Sequence, residues 1–333
     1  MRAAWYERLG PAARVLQVGE QPTPTAGPGE VRVRLAASGV NPADVKRRLG
    51  QGRYTAMDGP LVIPNSDGAG VVDQVGAGVG EHWLGRRVWL YNGQRGGRTH
   101  GTAAEYIALD VGLVTPLADE VSFAAGACLG IPCMTAHYGV FSDGPVRGKT
   151  VLVTGGAGAV GHYAVQLAAW GGARVIATVS GPEKAAEAEA GGADATVNYR
   201  VQDVGRAVLD LTDGEGVDRV VDVDFGGNLP ATLACLKLNG VVTAYASDGN
   251  LNPEIPFGLL MGRNATLRPF VLNVLPLAAR QAAQRDITRW LAEGERIHRV
   301  ADAFPLDRIV AAHEAVEAGT KLGTVIVEPE RKA

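Results

Sequence analysis

Apolar and polar positions alternate in short stretches along residues 1–125, and turn residues separate these stretches. Residues 31–35 alternate with a period of two, as a strand with one buried face does. Further strands are predicted at residues 68–75, 87–90 and 102–109, with turn signals at 27–29 and 76–78. This part of the chain is therefore predicted to be rich in β structure.

One short helix is predicted within this β-rich part, at residues 42–49. Asn41 is its expected N-cap and Pro42 its first helical residue, since both residue types are favoured at those positions.

The pattern changes after residue 125, where apolar runs alternate with helical stretches. Strands are predicted at residues 150–154, 174–179, 196–199, 217–223 and 240–246, and helices at 161–170 and 182–190. Strands that alternate with helices indicate a parallel sheet covered on both faces. We therefore predict a Rossmann domain, a doubly wound parallel sheet, over residues 126–267.

The remaining residues, 268–333, are predicted to return to the first domain. They carry a long helical pattern near 276–294, a strand at 299–304, a helix at 305–317 and a closing strand at 323–327. The expected fold class is α/β, with one β-rich domain (1–125 and 268–333) into which the Rossmann domain is inserted.

A glycine-rich loop follows the first strand of the predicted parallel sheet. In the run VLVTGGAGAVG at 151–161, Gly156, Gly158 and Gly161 match the pattern G-x-G-x-x-G. In dinucleotide-binding proteins these glycines allow a tight turn, a close approach to the pyrophosphate and close packing of helix on strand. The helix that starts here directs unpaired N–H groups at phosphates. The loop, including Ala157, Ala159 and Val160, is predicted to bind a dinucleotide.

The end of the second strand bears on the choice of cofactor. NAD sites place an acidic residue there, on the ribose 2′-hydroxyl, whereas this chain has Val179-Ser180-Gly181. Ser180 can donate a hydrogen bond to a 2′-phosphate, Lys184 can supply positive charge, and Tyr199 and Arg200 follow the third strand. NADPH is therefore the predicted cofactor.

Composition narrows the class of partner. The 333 residues carry a net charge of −3, which gives no reason to expect nucleic acid as the main partner. No stretch reaches the roughly 18 consecutive apolar residues of a membrane span, and the N-terminus lacks the apolar core of a signal peptide. The chain has three cysteines, an odd number without metal-type spacing, which favours free thiols in a reducing cytoplasm.

Several motifs resemble the medium-chain dehydrogenase/reductase superfamily. They are SGVNPAD at 38–44, IPNSDGAGVV at 63–72 and VGAGV at 75–79; GIPCMTA at 130–136 and VNYR at 197–200 are similar to its zeta-crystallin-like NADPH:quinone oxidoreductase branch. The resemblance covers essentially the whole chain and implies a GroES-like catalytic domain that carries an inserted Rossmann domain. Where zinc-dependent members hold their catalytic metal, this chain has Asn41, Ser66 and about Ile131, so no metal is expected.

The resemblance also implies roles for individual residues. Asn41 would donate a hydrogen bond to a developing oxyanion or serve only as the helix cap. Asp44 would orient that region or have a surface or capping role. Tyr54 would stack, hydrogen bond or deliver a proton, or merely line the pocket. The positions that match cofactor contacts in this family are Thr135, Phe270, Val271, Leu272 and Lys321.

Without zinc as a Lewis acid, the easiest acceptors are conjugated, because conjugation spreads the charge that hydride delivery creates. We expect NADPH-dependent reduction of quinones. The alternatives are reduction of the C=C bond of enones or enals, or a non-catalytic role for NADPH binding. The resemblance further implies a homodimer or homotetramer.

Overall fold

The protein is described from a computed structural model that covers residues 1–330. It contains two compact units. Unit 1 comprises Met1–Ile131 and the segment from His298 onward, and unit 2 comprises Pro132–Ile297. Within residues 1–330, no helix is both long and apolar enough to cross a membrane.

The first segment of unit 1 is mainly β structure, as its alternating pattern predicts. Its elements are β1 (Arg2–Trp5), α1 (Ala12–Val15), β2 (Gln17–Glu20), β3 (Glu30–Val40), α2 (Pro42–Leu49), β4 (Asp67–Val75), β5 (Arg87–Leu90), β6 (Tyr106–Asp110), β7 (Val114–Pro116) and α3 (Phe123–Gly126).

Unit 2 alternates strands and helices. Its elements are α4 (Met134–Phe141), β8 (Thr150–Val153), α5 (Gly161–Trp170), β9 (Arg174–Val179), α6 (Pro182–Ala190), β10 (Ala195–Asn198), α7 (Val204–Leu211), β11 (Val217–Asp222), α8 (Phe225–Cys235), β12 (Leu236–Ala244), α9 (Phe257–Arg263), β13 (Thr266–Pro269) and α10 (Leu277–Ala292). The six strands are parallel in the order β10-β9-β8-β11-β12-β13. This is the strand order of the doubly wound Rossmann sheet, which confirms the predicted fold.

The C-terminal segment completes unit 1 with β14 (Val300–Pro305), α11 (Ile309–Glu317) and β15 (Thr324–Glu328). β15 pairs antiparallel with the end of β3, whose first residues pair with β6. The long strand β3 also pairs with β4 along its other edge, and the sheet runs β14-β15-β3-β4-β5-β7. β3 therefore ties both segments of unit 1 into one sheet.

The boundaries between the units differ from those that the sequence analysis placed at 125/126 and 267/268. Residues 268–297 lie in unit 2, because β13 extends the parallel sheet and α10 packs on α4. The strand predicted at 102–109 begins at Tyr106, since the preceding residues form a turn in which Ala104 bridges only Ala3. Each unit has its own apolar core, built for example around Ile309 in unit 1 and Leu152 in unit 2.

Candidate functional site

The glycine loop of unit 2 connects β8 to α5, and its glycines are required by space. A Cβ atom on Gly156 would lie 2.7 Å from the Cβ of Ala177, and one on Gly161 would lie 2.1 Å from the Gly155 carbonyl oxygen. Gly158 is exposed, and its nearest neighbour would be the Gly155 oxygen at 3.2 Å. Packing therefore explains Gly156 and Gly161, whereas Gly158 leaves room outside the loop. The residues between them are Ala157, Ala159 and Val160.

Hydrogen bonds hold this loop in shape. Gly155 has a left-handed backbone (φ 65°), and its N–H donates to the hydroxyl of Thr178 at 3.0 Å. The N–H of Gly156 donates to the Thr178 carbonyl at 2.9 Å. The N–H of Gly158 donates to the Gly155 carbonyl and that of His162 to the Gly158 carbonyl, each at 2.9 Å. The amides between them are the candidate donors to a diphosphate at this helix start.

The parallel pairing of β9 and β10 brings together the residues predicted to select the cofactor. Tyr199 donates its backbone N–H to the Val179 carbonyl at 3.1 Å, and its side chain is 50% exposed. Ser180 directly follows β9, and Lys184 is half-buried in the first turn of α6. The segment from Val179 to Pro182 contains no carboxylate, and the nearest acid along the chain, Glu183, is exposed in the first turn of α6.

Two further segments of unit 2 carry the remaining cofactor predictions. Phe270 follows β13, donates its N–H to the Ala244 carbonyl at 2.9 Å and packs its ring on Tyr138 at 4.8 Å. Thr135 is buried in the first turn of α4. Val271 is half-buried and Leu272 is buried in the turn after Phe270. Contact of these residues with a cofactor stays a prediction.

In unit 1, Asn41 lies just before α2 and is 4% exposed. Its side-chain amide donates to Oδ2 of Asp67 at 2.7 Å. The other carboxylate oxygen of Asp67 accepts from the Ile131 backbone N–H at 2.8 Å. Asp67 thereby joins the loop after β3 to the turn after α3.

Asp44 is a structural hub on α2. One of its oxygens accepts from the Asn41 backbone N–H at 2.9 Å, which is the reciprocal half of a capping box. The other accepts from the Ser66 hydroxyl at 2.9 Å and from the guanidinium of Arg95 at 2.8 Å. Asp44 is fully buried and caps α2, so it is not a surface residue. An orienting role for Asp44 at the site stays a prediction.

Tyr54 is half-buried in the loop after α2. Its ring lies under the guanidinium of Arg47, 4.6 Å from the charge centre, and its hydroxyl accepts from Arg53 at 2.9 Å. The hydroxyl hydrogen is then available to a further acceptor. A hydrogen-bonding role for Tyr54 stays a prediction.

Lys321 precedes β15, and its ammonium donates to the Gly323 carbonyl at 2.8 Å. Burial lowers the pKa of Lys321 to about 8. One hydrogen of the Lys321 ammonium group is therefore bonded to a carbonyl two residues away. The predicted contact with the cofactor would use the other two hydrogens.

The side chains at the positions of the family's catalytic zinc ligands do not suit zinc. Within residues 1–330, no group of three or more His, Cys, Asp or Glu side chains is arranged to hold a metal ion. At the positions that match the catalytic ligands, the Asn41 amide donates to Asp67 and the Ser66 hydroxyl donates to Asp44. Neither side chain is a good zinc ligand.

Sequence reasoning missed Asp67, which the structure places against Asn41. Burial raises the pKa of Asp67 to about 8, and the hydrogen bonds from Asn41 and Ile131 oppose that rise. A Cβ on Gly130 would lie 2.2 Å from the Asp67 carboxylate. The only signal was that this acid stands next to Ser66 in the motif IPNSDG.

Comparison with known proteins agrees with this architecture. Residues 27–119 match the family model described as alcohol dehydrogenase GroES-like domain, and residues 159–289 match that described as zinc-binding dehydrogenase. A 2-haloacrylate reductase of Burkholderia is 30% identical, over 99% of both chains. A quinone oxidoreductase of Pseudomonas aeruginosa is 29% identical, over 95% of this chain and 96% of its own.

Solved structures resemble the chain along its whole length. An NAD-dependent alcohol dehydrogenase superposes with a TM-score of 0.88 at 29% identity, over 99% of this chain and 100% of its own. A mycobacterial protein complexed with NADPH superposes with a TM-score of 0.85 at 28% identity and the same coverage. The fold and the glycine loop define an oxidoreductase of the medium-chain dehydrogenase/reductase class. Within that superfamily, the chain belongs to the quinone-oxidoreductase-like branch.

Proposed function

We propose that this protein is an NADPH:quinone oxidoreductase that works without a metal. The observation that carries the proposal is the end of β9, where Ser180 takes the place of the acid that an NAD site requires. Lys184 and Tyr199 border the same strand end and suit a phosphorylated ribose. The mycobacterial structure with NADPH bound, which has the same fold, supports this choice.

NADPH supplies the hydride when it is bound. The chain contributes the loop glycines, whose backbone approaches the pyrophosphate, and the donors at the start of α5. In unit 1, Asn41 donates a hydrogen bond to the acceptor oxygen on which negative charge develops. Tyr54 supplies a second hydrogen bond or the proton.

A quinone suits this limited set of donors. Hydride delivery to an isolated carbonyl concentrates charge on one oxygen, which a metal ion stabilises by several kcal/mol. A quinone spreads the same charge over its conjugated ring, so neutral donors such as the Asn41 amide are sufficient.

A second candidate is reduction of the C=C bond of a conjugated acceptor. The relative from Burkholderia is named for a haloacrylate, whose double bond is conjugated with a carboxylate. The same donors would then stabilise an enolate oxygen.

The experiment compares kcat/KM for a benzoquinone and for an α,β-unsaturated ketone, each with NADPH and with NADH. The proposal predicts the larger kcat/KM for the quinone and a preference for NADPH. A larger value for the ketone would favour the second candidate. Tight binding of NADPH without oxidation by either acceptor would instead support a non-catalytic role.

We also propose a homodimer or homotetramer. β13 is the terminal strand of the parallel sheet, and α9, which precedes it in the chain, has solvent-exposed apolar side chains, including Phe257 at 71% and Met261 at 67%. Such a surface is typical of a subunit interface. Light scattering measures the mass directly, and a monomer at micromolar concentration would contradict this proposal.

The three free, buried cysteines suit a reducing cytoplasm, which we propose as the location.

A further inference from the structure

Asp67 is the buried carboxyl group closest to the proposed chemistry. It is at the start of β4 and is fully buried. Its two oxygens face different donors: Oδ1 accepts from the Ile131 N–H at 2.8 Å, and Oδ2 faces the Asn41 amide at 2.7 Å. The carboxylate lies against Gly130, where an added Cβ would be 2.2 Å from Oδ1.

The donors around Asp67 determine where a proton can be bound. Oδ1 accepts from a backbone N–H that cannot move, whereas the Asn41 amide at Oδ2 can rotate, so we place the proton on Oδ2. That proton would point at the Asn41 amide. An O–H directed along this contact needs an acceptor, so the amide then turns its carbonyl oxygen toward Asp67.

The Asn41 amide therefore has two orientations. When Asp67 is ionised, an Nδ2 hydrogen bonds to Oδ2 and the amide carbonyl is turned away from Asp67. When Asp67 is protonated, its O–H donates to the Asn41 carbonyl, and the NH2 group is turned away instead. Only the second orientation directs the whole NH2 group away from Asp67, toward an oxyanion.

We infer that Asp67 is a positioning residue whose proton decides which edge of the Asn41 amide is offered to the substrate. The inference rests on the proposed function, in which Asn41 donates a hydrogen bond to the acceptor oxygen. Asp67 itself does not touch the substrate. It acts through the amide that it holds.

The charges around Asp67 favour retention of this proton near neutral pH. Burial is the main cause that raises the pKa of Asp67 to about 8, and the negative charge of Asp44 on α2 adds to it. The guanidinium of Arg95 and the bonds from Asn41 and Ile131 act in the opposite direction. The remaining titratable neighbour is Cys128, where burial raises the pKa to about 12, so that thiol stays neutral.

Asp67→Asn is the informative variant, because an asparagine mimics the protonated carboxyl group. Its carbonyl oxygen can accept from Ile131, and its NH2 group can donate to the Asn41 carbonyl at every pH. We expect D67N to keep most of the quinone reductase activity. We also expect kcat/KM of the native protein to fall about tenfold per pH unit above the pKa of Asp67. D67N should lack this alkaline step.

Asp73→Asn is the matched control, since Asp73 lies on the same strand, is exposed and pairs with Arg32. D73N should keep the alkaline step. An unchanged step in D67N would overturn the inference. Asn41→Ala distinguishes failure of the inference from failure of the proposed function. If N41A keeps the native kcat, Asn41 is not a donor to the substrate and the proposed role of Asn41 fails. If N41A loses activity while D67N keeps the alkaline decrease in kcat/KM, only the inference fails.

A spectroscopic measurement covers the case in which D67N does not fold. Infrared spectra of the cofactor-free native protein, labelled with 13C in its aspartate carboxyl groups, report protonated carboxyl groups directly. We expect a protonated aspartate at pH 6 that is lost by pH 10, with the loss shared by D73N. A spectrum without any protonated aspartate at pH 6 would overturn the inference.

Discussion

Alanine at Gly158 and at Gly161 should affect the protein in two different ways, although both glycines belong to one loop. A Cβ on Gly161 would lie 2.1 Å from the Gly155 carbonyl oxygen and 2.8 Å from its carbonyl carbon. Both are backbone atoms, which cannot rotate aside. A Cβ on Gly158 would meet one atom at 3.2 Å and otherwise point into solvent.

The magnitudes follow from these distances. Gly161→Ala forces α5 away from the loop, an overpacking that typically destabilises a protein by about 1–3 kcal/mol. Gly158→Ala needs a shift of a few tenths of an ångström, so its stability should change by less than about 1 kcal/mol. Its methyl group would instead occupy the path that we propose for the pyrophosphate. Loss of one charge-assisted hydrogen bond there corresponds to about 1.5–3 kcal/mol, or roughly 10- to 150-fold weaker binding of NADPH.

Urea unfolding measures the stability of each variant, and fluorescence titration measures the Kd of NADPH. Gly262→Ala, in α9 with no atom within 4 Å of the added Cβ, is the control for the substitution itself. We expect G161A to lose both stability and affinity, and G158A to lose affinity alone. Native affinity in G158A would refute the placement of the pyrophosphate at this loop.

Three further predictions concern other charged or polar positions. Ser180→Asp should weaken NADPH binding by about 1–4 kcal/mol through repulsion of the 2′-phosphate, with little effect on NADH; equal losses for both cofactors in a titration would contradict it. Asp44→Ala leaves Arg95 buried without its partner and should lower the free energy of unfolding by about 3–5 kcal/mol in urea, whereas a loss below 1 kcal/mol would show that the pair is not coupled. Because burial raises the pKa of Asp67 from 3.8 to about 8, the folded state keeps a proton that the unfolded state releases between those pH values. The stability that this group contributes is present below pH 3.8 and is lost as pH rises to about 8. D67N should therefore show a smaller decrease in the free energy of unfolding across that range than the native protein. Urea titrations at several pH values measure this difference.

Much of the fold could be predicted because local signals and tertiary structure agree. α5, β9 and α6 have the bounds that the pattern predicts, since a glycine or proline marks an end of each helix and an apolar run forms the strand between them. β13 was missed because its four residues are half-buried or exposed and lie at the sheet edge, where no alternation is required. Without β13, the end of the Rossmann unit could not be placed.

The candidate site was predictable only where a motif fixes the backbone. The glycines at 156, 158 and 161 satisfy a steric rule that the sequence shows directly. Asp67 follows no such rule, because its importance arises from tertiary contacts with Asn41 and Ile131, which are distant in the sequence. Burial of a carboxyl group, and the pKa that results, can be known only once these segments are packed together.

The buried polar network of unit 1 explains how the segments around Asn41 stay in place without metal ligands. Asp67 joins the residue before α2 to the turn at Ile131, and Asp44 joins α2 to Ser66 and Arg95. Each carboxyl group makes at least two hydrogen bonds, which offsets the cost of its burial. Such a network needs every partner, so loss of one acid should loosen several segments together. The Asn41 amide would then lose its orientation, so Asp44→Ala should lower kcat together with the free energy of unfolding.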